Sequence, residues 1–306
     1  MKDALIKTES RGPVRRRLAP GAARPKAAGR LVLAALLILG LLGVGTAAAA
    51  AAASRPGDVP PPGFPDATGA SGEIQAVFLN PAAAAGLPAA SASFWAVVAS
   101  PKQPGRPPGY TVALLDPGGR LAGGFVATLA GSEAVQPLSL SYAVAGRLGP
   151  VALGLRPVWT RVELAEGLWT LDAGIAWRLR AWASLGLAGL DLPIADGPGS
   201  DRPPARGLAG LTFTATPLTG TLLEGTQFSL GLSDPNLDAP DDSVARAGLR
   251  VPIGQRFRLS LGYEHDKRPG LAPRWTGGFA ARAGSLRLDL TFQTDDVYRA
   301  GIEVGW

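Results

Sequence analysis

The sequence predicts an all-β protein: an antiparallel β-barrel of about fourteen strands that spans a membrane. Three observations carry that expectation. Segments of about ten residues alternate apolar and polar side chains, as in Ser285–Gln293, where Leu286, Leu288, Leu290 and Phe292 share one face and Arg287, Asp289 and Thr291 the other. Successive strand side chains point to opposite faces, so such a segment has one oily and one polar side. The connections between segments sort by length, longer after odd strands and tighter after even ones, as a barrel with both termini on one side of a membrane requires. The chain also ends inside a strand, on Trp306.

Composition narrows the function. Among 306 residues there is no cysteine and one histidine, His265. Disulfide frameworks, thiolate zinc sites, a cysteine nucleophile and a lipidated cysteine are excluded, as are sites that need several imidazoles. The 41 Gly and 28 Pro suit a chain of many turns. The formal charge of +6 is local. Residues 1–30 hold nine of the 30 basic residues and two of the 24 acids, which leaves 21 and 22 for the remainder. Basicity confined to a leader removes the main support for nucleic-acid binding.

Leu31–Val44, LVLAALLILGLLGV, is an apolar run behind a basic stretch, and Gly45–Ala53 is Ala-rich. That order predicts a secretory signal over residues 1–53. The competing reading is an uncleaved anchor, because the 23 residues Leu31–Ala53 can span a bilayer. Both take the rest of the chain out of the cytoplasm. Residues 54–71 are rich in Pro, Gly and small side chains and read as a linker. Residues 72–90, GEIQAVFLNPAAAAGLPAA, follow. There Asn80 can cap or bend the chain with its own amide and Pro81 prevents ladder pairing. A turn before a short helix accounts for the same residues.

Residues 91–306 read as strands and turns. The expected strands are Ser91–Ser100, Gly109–Asp116, Arg120–Ala130, Val135–Gly146, Val151–Val162, Leu168–Arg178, Trp182–Leu192, Arg206–Thr216, Glu224–Ser233, Val244–Val251, Gln255–Glu264, Ala272–Arg282, Ser285–Gln293 and Val297–Trp306. Most have the ~9–11 residues that a tilted strand needs to cross a bilayer. Pro217–Leu223 is long for a tight turn, and Gly131–Ala134 and Thr294–Asp296 are short for outer loops.

In a membrane barrel the apolar residues face lipid and the polar ones the lumen. Trp169, Trp177, Tyr263, Tyr298 and Trp306 lie near strand ends, where interfacial aromatic girdles form. The polar faces put Arg156, Asp172, Arg178, Arg206, Arg246, Arg250, Arg256, Arg258, Glu264, Arg287, Asp289, Arg299 and Glu303 in the lumen. One reading is mutual pairing, with Arg287–Asp289 and Arg299–Glu303 as nearest candidates, because an unpaired charge in a narrow lumen is costly. The other is a basic-leaning path for an anionic solute. Fourteen strands fall between the ~8 whose side chains fill the lumen and the ~16–18 that leave an open channel, so a narrow or plugged lumen is expected.

Catalytic and metal constellations are missing from the pattern. His265 lies in a Glu264–Lys267 loop with no nucleophile motif, and reads as solvated. The acids of the Asp234–Asp242 loop could ligate Ca²⁺ but lack the EF-hand spacing. No metal and no cofactor are expected.

Two stretches carry a family resemblance. The last strand, with Tyr298, Ala300, Ile302, Val304 and Trp306 on one face, resembles the C-terminal signal read by the barrel-assembly machinery; Tyr298, Ile302, Val304 and Trp306 would be its side chains. Ala76–Ala82, AVFLNPA, continuing to Gly86–Leu87, resembles the NPA-G-L segment near the mature N-terminus of FadL-like and PorV-like outer-membrane barrels. The resemblance extends over residues 72–306. It implies a hatch at the barrel mouth over residues 72–90, with Asn80 and Pro81 as gate, and a barrel over 91–306 in the outer membrane of a Gram-negative-type bacterium. It further implies passive transport of small or hydrophobic molecules and no enzymatic activity. The expected partners are outer-membrane lipid, the assembly machinery and a hydrophobic small-molecule ligand. PorV-like members imply instead a scaffold that holds partner proteins and conducts no solute.

Overall fold

The structure, a computed structural model, describes residues 68–99, 109–118, 120–130, 138–161, 167–194, 205–215, 224–234, 243–267, 272–294 and 297–306. The expected signal or anchor over residues 1–53 lies outside these, as does most of the linker. No helix among the described residues is long and apolar enough to cross a membrane, which says nothing of strands.

Alternating sequence makes strands, and here the strands close on themselves. They are β1 (Ser91–Ala99), β2 (Gly109–Asp116), β3 (Leu121–Ala130), β4 (Leu138–Leu148), β5 (Val151–Arg161), β6 (Leu168–Arg180), β7 (Ala183–Pro193), β8 (Arg206–Thr214), β9 (Gln227–Asp234), β10 (Val244–Ile253), β11 (Phe257–Asp266), β12 (Arg274–Ala283), β13 (Leu286–Gln293) and β14 (Val297–Gly305). Each pairs antiparallel with its sequence neighbours, and β14 returns to β1 with Ser91 opposite Gly305 and Phe94 opposite Ile302. The Trp306 N–H extends that seam by donating to the Ala90 carbonyl at 3.0 Å. Closure leaves no unpaired sheet edge, which is what permits a sheet to sit in hydrocarbon.

The termini of the barrel and its tight turns share one end. Gly149 and Gly284, at φ of 61° each, make the β4–β5 and β12–β13 reversals, a backbone region that glycine enters at no steric cost. Most strand boundaries move by one to three residues relative to the sequence reading, and three of the moves change the reading of particular residues. β9 starts at Gln227, because Glu224 and Gly225 form a turn. β11 starts at Phe257 and runs to Asp266, so Arg256 sits exposed in the β10–β11 turn, not on the lumen wall, and His265 is an exposed strand residue, not a loop residue.

The expected apolar faces point outward. Leu290 and Phe292 are each 58% exposed, and Leu155, Ile175, Leu187 and Leu259 are exposed too, whereas Asp172, Asp289 and Thr291 are buried inside. This inverts a soluble barrel, and the fold is a transmembrane β-barrel. Aromatics gather near both ends of the wall. Tyr263 packs on Trp275 with centroids 4.8 Å apart toward the loop end, and Trp182 stacks on Phe213 at 6.0 Å at the turn end.

Apart from a register shift between Arg178 and Arg180 at the β6–β7 turn, the wall is irregular in two places. Between β4 and β5 the ladder passes from Ser141–Val158 to Val144–Leu155 without the two intervening pairs, and one of the residues left out, Pro157, has no N–H to donate. Between β6 and β7 the register shifts by one residue from Leu171–Leu192 to Ala173–Gly189. The extra residue is housed by Asp191, a non-glycine residue at φ 57°. A bulge of this kind re-aims a side chain.

Candidate functional site: a plugged lumen

The segment before β1 lies inside the barrel. Helix α1 (Ala76–Leu79) and a 3-10 turn (Pro81–Gly86) form it. Both are too short to be stable alone, so tertiary contacts hold them. Ile74, Val77, Ala83, Ala84 and Leu87 pack against inward side chains of β1–β4, chiefly Trp95, Leu115, Ala122, Val126 and Ala143. The lumen is thus apolar on the β1–β4 side and charged on the other. Phe78 meets Trp95 edge-on, with centroids 5.8 Å apart.

Asn80 is 0% exposed and uses its whole amide. Its Oδ1 accepts from the Ala82 N–H at 3.0 Å, which caps the 3-10 turn, with Pro81 next in the position that needs no donor. Its Nδ2 donates to the carbonyls of Ile175 on β6, at 2.9 Å, and Leu187 on β7, at 3.3 Å. The local cap and a long-range anchor are one side chain. Gly154 and Gly174 permit the approach: a Cβ on Gly154 would strike the Pro81–Ala82 backbone, and one on Gly174 would strike the Asn80 amide.

A second anchor sits beside it. Arg156, 8% exposed, donates from Nη1 to the Val77 carbonyl at 3.1 Å and from Nη2 to the Phe78 carbonyl at 3.2 Å, with its guanidinium 5.9 Å from the Phe78 centroid. Asp172 holds it, with Nε to Oδ2 at 2.7 Å, and accepts the Asp191 N–H on Oδ1 at 2.8 Å. Asp191 in turn takes Arg206 Nε at 2.7 Å. The bulge therefore extends the charge ladder from β5 to β8.

The third anchor lies across the lumen. The Glu73 carboxylate receives Arg250 Nη2 of β10 at 2.7 Å, Arg287 Nη1 of β13 at 2.8 Å, and Arg258 of β11. Asp289 bridges Arg287 at 2.6 Å and Arg258 at 3.3 Å, and Glu303 lies 3.6 Å from Arg287. Gln227 joins by accepting from Arg250 and donating to the Ala70 carbonyl, both at 3.2 Å. Toward the loop end, Glu264 takes Arg246 at 2.7 Å and also Arg274, and Arg246 reaches Ser233 at 2.6 Å.

Of the other side chains singled out from sequence, Arg299 is buried on the lumen side and donates to Gln293 at 2.9 Å. Arg178 is exposed toward the turn end of β6. Tyr298, Ile302 and Val304 are exposed on the outer face of β14, and half-buried Trp306 ends the chain. Glu73 was not singled out, although it is the one charged residue in 72–90. Asp191 and Arg274 were also missed.

Outside the barrel, against β4–β9, is an apolar pocket of about 1090 Å³. Lipid-facing Leu153, Leu155, Ile175 and Leu187 line it together with Gly154 and Gly174. Those two glycines touch the plug on their other side. One backbone thickness separates the pocket from Asn80–Ala82, and the two irregularities of the wall flank it.

No protein-family model matches the chain, and no curated protein matches it. Among solved structures, a CymD monoaromatic hydrocarbon channel superposes with a TM-score of 0.57 at 12% identity, covering 81% of this chain and 98% of that one. A multiple mutant of the Rh. blastica porin gives a TM-score of 0.43 at 9% identity, covering 71% of this chain and 99% of that one. At 12% identity the likeness to the first of these is one of fold, a closed antiparallel barrel.

Proposed function

We propose that this barrel lies in the outer membrane and passively admits small or hydrophobic molecules, with the segment around Asn80 and Pro81 as its gate. The observation that carries the reading is the apolar pocket on the β4–β9 wall, parted from the gate by Gly154 and Gly174. A hydrophobic solute gains by leaving water for such a surface, and the wall beside it has lost pairing at Pro157 and regular register at Asp191. The fold shared with a hydrocarbon channel agrees with this. The plug's many anchors favour a gate that is closed at rest.

The test has two steps. Outer-membrane fractions are run on gels with and without boiling, and a closed barrel migrates faster unboiled. The purified full chain is then placed in liposomes and the flux of a neutral hydrophobic probe, toluene, is compared with that of Gly174→Val, whose added bulk displaces the Asn80 amide. Faster flux in the variant is the expected result. A soluble or inner-membrane location, or a flux equal to protein-free liposomes in both proteins, overturns the reading. The second outcome, with the barrel intact, leaves the PorV-like alternative of a scaffold that holds partner proteins.

A further inference from the structure

We propose that the lumen contains a binding site for a small monocarboxylate, built by Arg250, Arg258 and Arg287 and filled in this structure by the protein's own Glu73. The proposal rests on the transport reading for the solute's arrival in the lumen and adds a solute class to it. Three guanidinium groups from three strands converge on one carboxylate that is 6% exposed. The cavity left among them is about 10 Å³, room for one water at most. Glu73 fits the space as a ligand would, and planar guanidinium forks match carboxylate oxygens.

Charge selects the ligand. Arg250, Arg258 and Arg287 face Glu73, Asp289 and Glu303, three positive groups against three negative. Without Glu73 the group lacks one negative charge. A buried guanidinium without compensation is strongly unfavourable, so the arm leaves the arginines as another anion arrives. A monocarboxylate restores the balance. A neutral hydrocarbon leaves the deficit, and a dianion reverses it.

The anchors of the plug also differ in kind. Asn80 and Arg156 donate to backbone carbonyls, and Arg156 is already neutralised by Asp172 on the barrel wall, so an entering anion gains no charge balance there. Glu73 is held by ion pairs that a competing carboxylate can take over. It sits one residue past Gly72, at φ 63°, and four past Gly69, at φ 69°, so the arm that carries it can turn without strain in a side chain. Exchange at the arginines therefore frees the Glu73 arm while the Asn80 end stays docked.

The experiment titrates the full chain, folded in detergent, with sodium benzoate, and with toluene and sodium sulfate as comparators. Isothermal calorimetry reads affinity, and unboiled gel mobility verifies each barrel. Glu73→Ala should bind benzoate on the order of tenfold more tightly than the parent. Adding Arg258→Gln should abolish the gain, and toluene and sulfate should show none. If Glu73→Ala forms no barrel, Glu73→Gln keeps the shape, removes the charge and should show the same direction. Equal benzoate affinity in parent and variant, a gain that survives Arg258→Gln, or an equal gain for sulfate overturns the site. Toluene flux in the same preparations separates the two ideas. Benzoate binding without flux retires transport and keeps the site, and flux without benzoate binding does the reverse.

Discussion

Asp172→Ala is the substitution that tests the account of the plug most directly. Asp172 is 2% exposed and is the carboxylate against the Arg156 guanidinium. Its removal leaves a buried cation without compensation, a cost of about 3–5 kcal/mol. The Asp191 N–H loses its acceptor as well, which adds about 1 kcal/mol. A total of about 4–6 kcal/mol is exceptional for one residue. Removing both partners, as Arg156→Met with Asp172→Ala, takes the cation away. It forfeits the donors to the Val77 and Phe78 carbonyls, and about 2 kcal/mol is expected for the pair. The assay is equilibrium urea unfolding in detergent, read by unboiled gel mobility, as a double-mutant cycle. A cost below about 1 kcal/mol for Asp172→Ala, or a double variant equal to the sum of the singles, would show that water reaches this pair and that it does not hold the plug.

Two further outcomes test the barrel itself. Leu290→Arg, in the middle of β13 on the lipid face, should destabilise the folded protein in liposomes by about 2–4 kcal/mol. Leu121→Arg, at the end of β3, should cost about 0–1 kcal/mol, and equal costs would remove the bilayer from the argument. Trp306→Ala should lower the amount of heat-modifiable barrel recovered from cells while refolding from urea into detergent stays near that of the parent. An equal loss in both settings makes Trp306 a packing residue and not an assembly signal.

The architecture was legible because its grammar is short-range. A strand such as Leu286–Gln293 declares its two faces by period alone, and a Gly-Pro or Gly-Ser reversal declares the tight end. What was not legible depends on partners far along the chain. Gly109–Asp116 and Leu121–Ala130 carry small or apolar residues on both faces, and only the docked plug explains why their lumen side is oily. Trp95 points inward, where Gly301 leaves room for its ring, although nothing in SASFWAVVA decides between Phe94 and Trp95. Glu73 looked like one acid in an Ala-rich stretch, since the three arginines that meet it lie 177 to 214 residues later. The Asp191 bulge keeps Leu190 and Leu192 in apparent alternation while shifting the register beneath them. Arg256 shares the parity of Arg258 and differs only in lying two residues nearer the turn.

The plug precedes every strand that anchors it, and the β1–β14 seam is the last pairing the chain can make. Assembly is therefore a matter of order. An open sheet that already carries residues 68–90 on β4 and β5 can wrap around them and bring Arg250, Arg258 and Arg287 onto Glu73 as it curls. A sheet that closes first must thread the segment into a lumen already walled in, with its arginines one acid short. Contacts of such span make folding slow, and the seam sets the deadline. The residues that keep the closed barrel shut are the same ones that decide whether it closes around its contents.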